Sequence, residues 1–141
     1  MRVRPHSILM AVFVLGAAIP TFAHHGFGVE FDPTKCMDLK GTLTGIRWEN
    51  PHAYFDMEAK DADGKAVTWH LEMITPNALK RNGTTKQDFV ENMGKPINAR
   101  ICRSRIATEN RGAASYLQLP DGEIRGVGQD VERRAREDRH F

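Results

Sequence analysis

The chain has 141 residues, with 20 lysine and arginine residues against 18 aspartate and glutamate residues. Two of the basic residues, Arg2 and Arg4, lie in a segment that we expect to be removed, so the mature chain has 18 of each sign. Proteins that bind nucleic acid usually carry a basic excess or stripe, and this balance argues against nucleic acid as a partner. The length suits one domain with a modest core.

The first 23 residues have the pattern of a secretory signal peptide. Basic residues come first, residues 8–19 are free of charge, and Thr21-Phe22-Ala23 places small residues where a signal peptidase reads them. A run of 12 residues is too short to cross a hydrocarbon core of about 30 Å as a helix. We therefore predict cleavage after Ala23 and a periplasmic or secreted protein without an integral membrane anchor. The other interpretations are a buried core helix or a membrane anchor.

Apolar and polar residues alternate from Met37, which predicts a strand, and the phase of the alternation changes at Gly45. A glycine at a change of phase indicates a bulge that bends the strand. Two more alternating runs, 53–59 and 67–73, flank a turn at residues 61–64. These two runs predict a β-hairpin.

The hairpin register follows from matching its two apolar faces, which sets Phe55 opposite Leu71. This register brings four polar side chains together in two cross-strand pairs, Tyr54 with Glu72 and Asp56 with His70. We predict that these four residues bind a ligand and that His70 pairs with Asp56. The alternative is that they are ordinary cross-strand pairs on a solvated sheet face.

The chain then predicts two short helices. Thr75-Pro76 supplies an N-cap and a proline at the first helical position, and Gly83 ends that helix. Thr85 and Asp88 form a weak capping box for a second helix that ends by Gly94. Further strands are predicted at 96–103 and 113–119, with a short additional strand at 123–127.

This order of elements predicts a mainly β fold with one or two short helices. Three strands, a helix and two more strands are the order of a small five-stranded OB-like barrel, and the bent first strand suits closure of a small barrel. The alternative is an open antiparallel sheet with a packed helix. We expect residues 24–128 to form this single domain and residues 129–141 to be a charged C-terminal tail.

Cys36 and Cys102 are the only two cysteines in the chain. In an oxidising compartment two cysteines most simply form one disulfide, which would stabilise the fold by about 4 kcal/mol in the chain-entropy model. The alternative is a pair of thiolate metal ligands. We favour the disulfide because neither cysteine lies in a CxxC motif.

Several motifs occur in an order that resembles a family of small exported bacterial proteins of unknown function. They are His24-His25-Gly26-Phe27, Glu30-Phe31-Asp32, Gly41-Thr42-Leu43-Thr44, Trp48-Glu49-Asn50-Pro51-His52-Ala53, Thr75-Pro76-Asn77-Ala78-Leu79 and Arg81-Asn82-Gly83. The resemblance covers roughly residues 24–125 and implies export and a small β fold. It implies no activity, because the family has none established.

The chain departs from the family pattern in three places. Gly26 stands where serine is usual, and Thr84 stands where a tryptophan is common. The segment before the fourth predicted strand reads Gly94-Lys95-Pro96, whereas Gly-Asp is more common in the family.

The mature N-terminus is a candidate copper site. Cleavage after Ala23 would give His24 a free α-amine beside its imidazole, and such nitrogen donors suit Cu(II). This arrangement resembles the histidine brace of copper-dependent polysaccharide monooxygenases and of some periplasmic copper carriers. A brace needs one more histidine, and the candidates are His25, His52, His70 and His140. The alternative is that His24-His25 is only a processed, poorly ordered end.

The hairpin register limits which histidine could complete a copper site. His52 and His70 share the polar face about 13 Å apart at about 3.3 Å per residue, so they cannot both bind one metal ion. We predict His52 as the better partner of His24. The alternative for His52 is a structural role, in which it caps backbone groups of the turn at Asn50-Pro51.

Three functions follow from these patterns. The first is a non-enzymatic binding module for a small ligand or an envelope protein, which requires no cofactor. The second is a copper-binding protein that uses His24, His25 and His52. The third is an enzyme on the polar face, although the chain has no nucleophile motif, phosphate loop or HExxH motif. Alternation places Trp48 and Trp69 in the core and leaves Tyr54 as the exposed aromatic residue.

Overall fold

The computed structural model describes residues 27–106, 108–129 and 141. Within that part the chain is mainly β, with six strands and three short helices. In chain order these are α1 (Phe27–Glu30), β1 (Phe31–Arg47), β2 (Tyr54–Lys60), β3 (Ala66–Glu72), α2 (Pro76–Arg81), α3 (Lys86–Glu91), β4 (Pro96–Ser104), β5 (Arg111–Gln118) and β6 (Ile124–Gly126). The predicted signal peptide and most of the predicted tail lie outside the described residues.

The six strands form one ring-like sheet. Their order is β3-β2-β1-β4-β5-β6, and β3 also pairs with β5. The β3–β5 pairing is parallel, whereas the other pairings are antiparallel. Because β3 pairs with both β2 and β5, the first five strands surround a single apolar core in the order β1, β2, β3, β5, β4. The largest fully buried side chains of this core include Leu43, Phe55, Met57, Leu71, Ile101 and Leu117.

The first strand begins earlier than the prediction from Met37. It starts at Phe31, which pairs with Ser104 of β4, and its register against β4 is irregular between Phe31 and Cys36. Residues 31–36 do not alternate and include Pro33, so the sequence pattern did not predict a strand there. The helix α1 before it was not predicted, and the three helices correct the expectation of one or two.

The bulge near Gly45 is confirmed. The register between β1 and β2 shifts between Leu43 and Gly45. A Cβ atom at Gly45 would lie 2.8 Å from the Oδ2 atom of Asp56. Glycine at this position therefore leaves room for the carboxylate of Asp56 on the polar face of the hairpin.

The predicted hairpin register is also confirmed. Phe55 pairs with Leu71, and the two predicted polar pairs, Tyr54 with Glu72 and Asp56 with His70, face each other across β2 and β3. Alternation alone fixed this register, because a slip of one residue would have turned the buried Phe55 and Leu71 to solvent.

The two predicted helices form with the predicted caps. The Oγ1 atom of Thr75 accepts a hydrogen bond from the backbone of Ala78 at 3.2 Å. Thr85 and Asp88 form the capping box of α3. The helices bury Leu79 and Phe89 completely, and the Phe89 ring lies near the rings of Phe55 and Trp48. The helices thus add their apolar faces to the core of the sheet.

The tryptophans belong to the core, as predicted. Trp69 is buried, with the guanidinium of Arg103 over its ring at 5.2 Å from the centroid. Trp48 is half-buried and packs against the core beside Phe89. Neither tryptophan therefore supplies an open aromatic groove for a ligand.

Cys36 and Cys102 form the predicted disulfide. The two residues face each other across β1 and β4, 66 positions apart in the sequence. The bond therefore joins the first part of β1 to the fourth strand. Among the described helices, none is long and apolar enough to cross a membrane.

Candidate functional site

The polar face of the β2–β3 hairpin borders a cavity of about 560 Å³. The cavity contains all four predicted ligand-binding residues, Tyr54, Asp56, His70 and Glu72. The structure adds four more lining residues, Arg47 and Glu49 from the end of β1 and the loop after it, and Arg111 and Gly112 from the start of β5. The predicted residues are therefore neighbours around one concave surface.

The parallel pairing of β3 with β5 brings Arg111 to the cavity. His70 pairs with Arg111, and the backbone N–H of His70 donates to the carbonyl oxygen of Asn110 at 2.9 Å. The next residue, Gly112, lies so close to β4 that a Cβ atom would be 2.9 Å from the carbonyl oxygen of Cys102. Glycine thus allows β5 to lie between β3 and β4 at this point.

His70 and Asp56 form the predicted pair. The Nδ1 atom of His70 lies 2.7 Å from the Oδ1 atom of Asp56. The His70 side chain is 53% exposed, so its Nε2 atom is the ring nitrogen left for other contacts. This pair fixes the orientation of an imidazole at the cavity wall.

Among the ion-paired side chains that line the cavity, Glu72 is the most buried. The Nδ1 atom of His52 lies 2.5 Å from the Oε1 atom of Glu72, and the Tyr54 hydroxyl donates a second hydrogen bond to this carboxylate. Burial raises the pKa of Glu72, and the charge of Glu30 raises it further. His52 and Tyr54 act in the opposite direction, because the charge interaction with His52 and the hydrogen bonds from both residues favour the ionised carboxylate.

His52 does not line the cavity and contacts the site only through Glu72. The structural alternative to its metal-binding role was that it caps backbone groups of the turn, and the structure shows its Nδ1 atom bonded to a side-chain carboxylate. The Asn50–Pro51 peptide bond before it is cis. His52 is therefore a supporting residue that holds the Glu72 carboxylate.

Tyr54 lies between the carboxylate of Glu72 and the guanidinium of Arg47. The central guanidinium carbon of Arg47 is 4.7 Å from the centroid of the Tyr54 ring, a cation–π contact. Burial raises the pKa of the Tyr54 hydroxyl, as do the charges of Glu72 and Glu30, while Arg47 lowers it. The hydroxyl therefore remains protonated and serves as a hydrogen-bond donor.

Arg111 connects the cavity to the N-terminal helix. Its Nη2 atom lies 2.9 Å from the carboxylate of Glu30, the last residue of α1, and its Nη1 atom lies 3.5 Å from Glu109. The influence of Glu30 on the pKa values of both Tyr54 and Glu72 places this carboxylate in the same electrostatic neighbourhood. Helix α1 is therefore held at the edge of the site.

Most of the predicted copper site falls outside the described part of the chain. Among residues 27–106, 108–129 and 141, no group of three or more His, Cys, Asp or Glu side chains could hold a metal ion. His24, His25 and His140 lie outside the described residues. Of the predicted copper ligands, the structure therefore describes His52 alone.

Sequence reasoning missed Arg47, Glu49 and Arg111 as lining residues. The first two follow the bulge of β1, and Arg47 pairs with Tyr54 once the register resumes after Gly45. Arg111 reaches the cavity through a parallel pairing between strands far apart in sequence, which no local pattern reports. The available signal for Arg47 and Glu49 was the change of phase at Gly45, after which Ile46 and Trp48 take the apolar positions and these two residues take the polar ones.

Residues 11–113 match the sequence model of a family of unknown function, DUF6152. The matched range contains every lining residue of the cavity. No curated protein and no solved structure shows a significant match to the chain. The chemistry of the site therefore has to be argued from its geometry.

Proposed function

The chain belongs to the family of unknown function DUF6152, and we propose that it is an exported, non-enzymatic binding module. Its ligand is a small polar molecule held in the cavity beside the β2–β3 hairpin. Export rests on the signal-like first 23 residues, and the disulfide suits an oxidising compartment.

We propose further that the ring of strands is an OB-like barrel. The cyclic order of pairings through β1, β2, β3, β5 and β4 supports this, as does the bulge that bends β1. OB folds bind ligands on one sheet face and the loops beside it. The cavity lies on such a face, between the hairpin and the start of β5.

The observation that carries the proposal is that the polar groups of the cavity are already oriented. Asp56 is fixed by His70, and Glu72 is fixed by His52 and Tyr54. A site whose side chains are held before binding loses less conformational entropy when the ligand arrives. This arrangement supports a recognition site more than an ordinary solvated sheet face.

Binding is a better proposal than catalysis for this cavity. The described residues that line it include no Ser, Thr or Cys that could act as a nucleophile. The carboxylates of Asp56 and Glu72 could transfer protons, and the raised pKa of Glu72 is in the direction that a general acid needs. Both carboxylates are, however, occupied by histidine partners in a way that fixes them in place.

Native mass spectrometry tests this proposal. The full chain is expressed with its own leader and purified gently from the cell envelope, and its intact mass is recorded with any bound molecule. We expect a mass that corresponds to a chain beginning at His24, together with an adduct of small mass. A chain that retains its first 23 residues would contradict export.

The adduct is assigned to the cavity by a matched pair of variants on β3. His70→Ala removes an exposed cavity residue, and Thr68→Ala changes an exposed residue two positions away that does not line the cavity. We expect His70→Ala to lose most of the adduct and Thr68→Ala to retain it. Equal adducts on both variants, or no adduct on the unmodified chain, would contradict a ligand in the cavity.

Copper binding is a second candidate, and the His52–Glu72 contact favours it. Metal-binding histidines usually donate one ring N–H to a carboxylate, which leaves the other nitrogen for the metal. His52 meets this condition through Nδ1, which leaves Nε2 for a metal. Glu30, whose charge acts on Glu72, follows His24 by six residues, and six residues of chain span at most about 21 Å.

A Cu(II) titration of the chain that begins at His24 tests the copper candidate. We expect tight one-to-one binding with a nitrogen-rich electron paramagnetic resonance spectrum. An extra residue before His24, or the variant His52→Ala, should abolish this binding. Copper binding that neither change affects would contradict a site built from His24 and His52.

A further inference from the structure

We propose that the ligand of the cavity is a zwitterion of the amino-acid class, a free amino acid or a dipeptide. Arg47 would hold its carboxylate, and Glu49 would hold its ammonium group. This inference rests on the proposed function and adds to it the chemical class of the ligand.

Most of the charged and titratable side chains that line the cavity already have partners within the protein. Four of the lining side chains are paired within the protein: Asp56 with His70, Glu72 with His52, and Arg111 with Glu30. Arg47 and Glu49 line the same cavity but form no ion pair with any of the described residues. The cavity therefore offers one cation and one anion to a ligand.

Arg47 has the chemistry to bind a carboxylate. Its guanidinium lies over the ring of Tyr54, and this cation–π contact favours that placement of the long side chain. A stacked guanidinium still presents its N–H edge, which can donate two parallel hydrogen bonds to a carboxylate. A lysine at the same position would lack both the flat stacking surface and the paired donors.

Glu49 supplies the matching acceptor two residues further along the chain. Two residues of chain span at most about 7 Å, so the side chains of Arg47 and Glu49 start close enough to reach both ends of a small molecule. The α-carboxylate and α-ammonium groups of an amino acid are separated by a single carbon atom. In a dipeptide they are a few ångströms further apart, within the reach of these two long side chains.

The balance of charge around the cavity also favours a ligand that carries both signs. The lining residues include two arginines and three carboxylates. A simple anion would be repelled by Glu49, Asp56 and Glu72, and a simple cation would meet Arg47 and Arg111. A cavity of about 560 Å³ also leaves room for the side chain of an amino acid beside its charged groups.

Isothermal titration calorimetry of the mature chain with matched molecules tests this inference. The probes are phenylalanine, 3-phenylpropionate, which lacks the amine, and phenethylamine, which lacks the carboxylate. Alanine, propionate and ethylamine form a smaller set, and dialanine and glucose complete the panel. We expect at least one zwitterion to bind about tenfold or more tightly than both of its counterparts.

Two variants identify the groups responsible. Arg47→Gln should weaken binding of the zwitterion and of the carboxylic acid about tenfold while leaving the amine unchanged. Glu49→Gln should weaken the zwitterion and the amine and leave the acid unchanged. Lys60→Ala, an exposed residue at the far end of β2, is the control and should bind as the unmodified chain does.

Each contrary result has a distinct meaning. A carboxylic acid that binds as tightly as its zwitterion would overturn the inference, as would a zwitterion whose binding neither cavity variant weakens. If glucose alone binds, or if native mass spectrometry finds a cavity adduct that is not a zwitterion, the inference fails and the proposed binding function stands. If no probe binds and the purified chain carries no adduct, both fail.

Discussion

The pKa of Glu72 is subject to opposing influences from its neighbours in the candidate site. Burial and the nearby charge of Glu30 raise its pKa, whereas His52 and Tyr54 lower it. Because the raising influences prevail, the pKa of Glu72 lies above its ordinary value of 4.5. A carboxylate that is difficult to ionise gains most from fixed donors, which accounts for its two hydrogen bonds.

We predict that substitutions of the neighbours of Glu72 move its pKa in opposite directions. His52→Ala removes a stabilising donor and should raise the pKa, whereas Glu30→Gln removes a nearby negative charge and should lower it. Carbon NMR of the Glu72 carboxyl group during a pH titration measures both changes. Shifts of the same sign in the two variants would contradict this account of the site.

The raised pKa of Glu72 has a consequence for stability. The folded chain holds this proton more tightly than the unfolded chain, so its contribution to stability is complete below pH 4.5 and is lost as the pH rises through the folded-state pKa. Glu72→Gln removes this titration. Urea unfolding across that pH range should show a smaller loss of stability with rising pH in the variant than in the unmodified chain.

At the scale of the elements, β1 holds the sheet together because it pairs with β2 on one edge and β4 on the other. Gly41 pairs with Ala59 on one side and Ile97 on the other. A Cβ atom there would overlap the carbonyl oxygen of Glu58, a backbone atom that cannot move without separating β1 from β2.

We therefore predict that Gly41→Ala destabilises the fold by about 3 kcal/mol, at the upper end of the cost of overpacking. Gly126→Ala is the matched control, because Gly126 also lies in a strand and a Cβ atom there would contact nothing within 4 Å. It should change stability by no more than about 1 kcal/mol. Urea denaturation of both variants measures the difference, and equal effects would contradict this description of the β1–β2 pairing.

The elements that could be predicted were those with strong local signals. Alternation set the hairpin register, and Thr75 and Thr85 marked both helix starts. The start of β1 and the helix α1 have no such signal, since residues 27–36 neither alternate nor carry a helical period. The residues of the candidate site divide in the same way into predicted and unpredicted ones. The four hairpin residues were predictable from register, but Arg47, Glu49 and Arg111 reach the cavity through a bulge and a distant parallel pairing.

At the scale of the whole molecule, the short β3–β5 pairing closes the ring of strands, and the disulfide links the neighbouring strands β1 and β4. Only three residue pairs join β3 to β5, at the edge of the cavity. Cys102 pairs with Ala113 of β5, directly beside the lining residue Gly112. The Cys36–Cys102 bond therefore lies directly behind the part of the ring that closes the site.

We predict that replacing both cysteines with alanine lowers the free energy of unfolding by about 4 kcal/mol, because a cross-link over 66 positions restricts the unfolded chain. Urea unfolding measures this loss, and reduction of the unmodified chain should reproduce it. A variant as stable as the unmodified chain would show that the bond contributes little to the fold.

The central claim is that the cavity beside the β2–β3 hairpin binds a small polar molecule, and proton–nitrogen correlation NMR tests it most directly. The mature chain is titrated with pooled amino acids, sugars, organic acids and phosphate while its backbone amide signals are followed. We predict saturable shifts confined to the cavity, at Arg47, Tyr54, His70, Glu72 and Arg111. Shifts confined to a distant surface, such as the exposed Val90 and Met93, or no shifts with any pool, would contradict the claim.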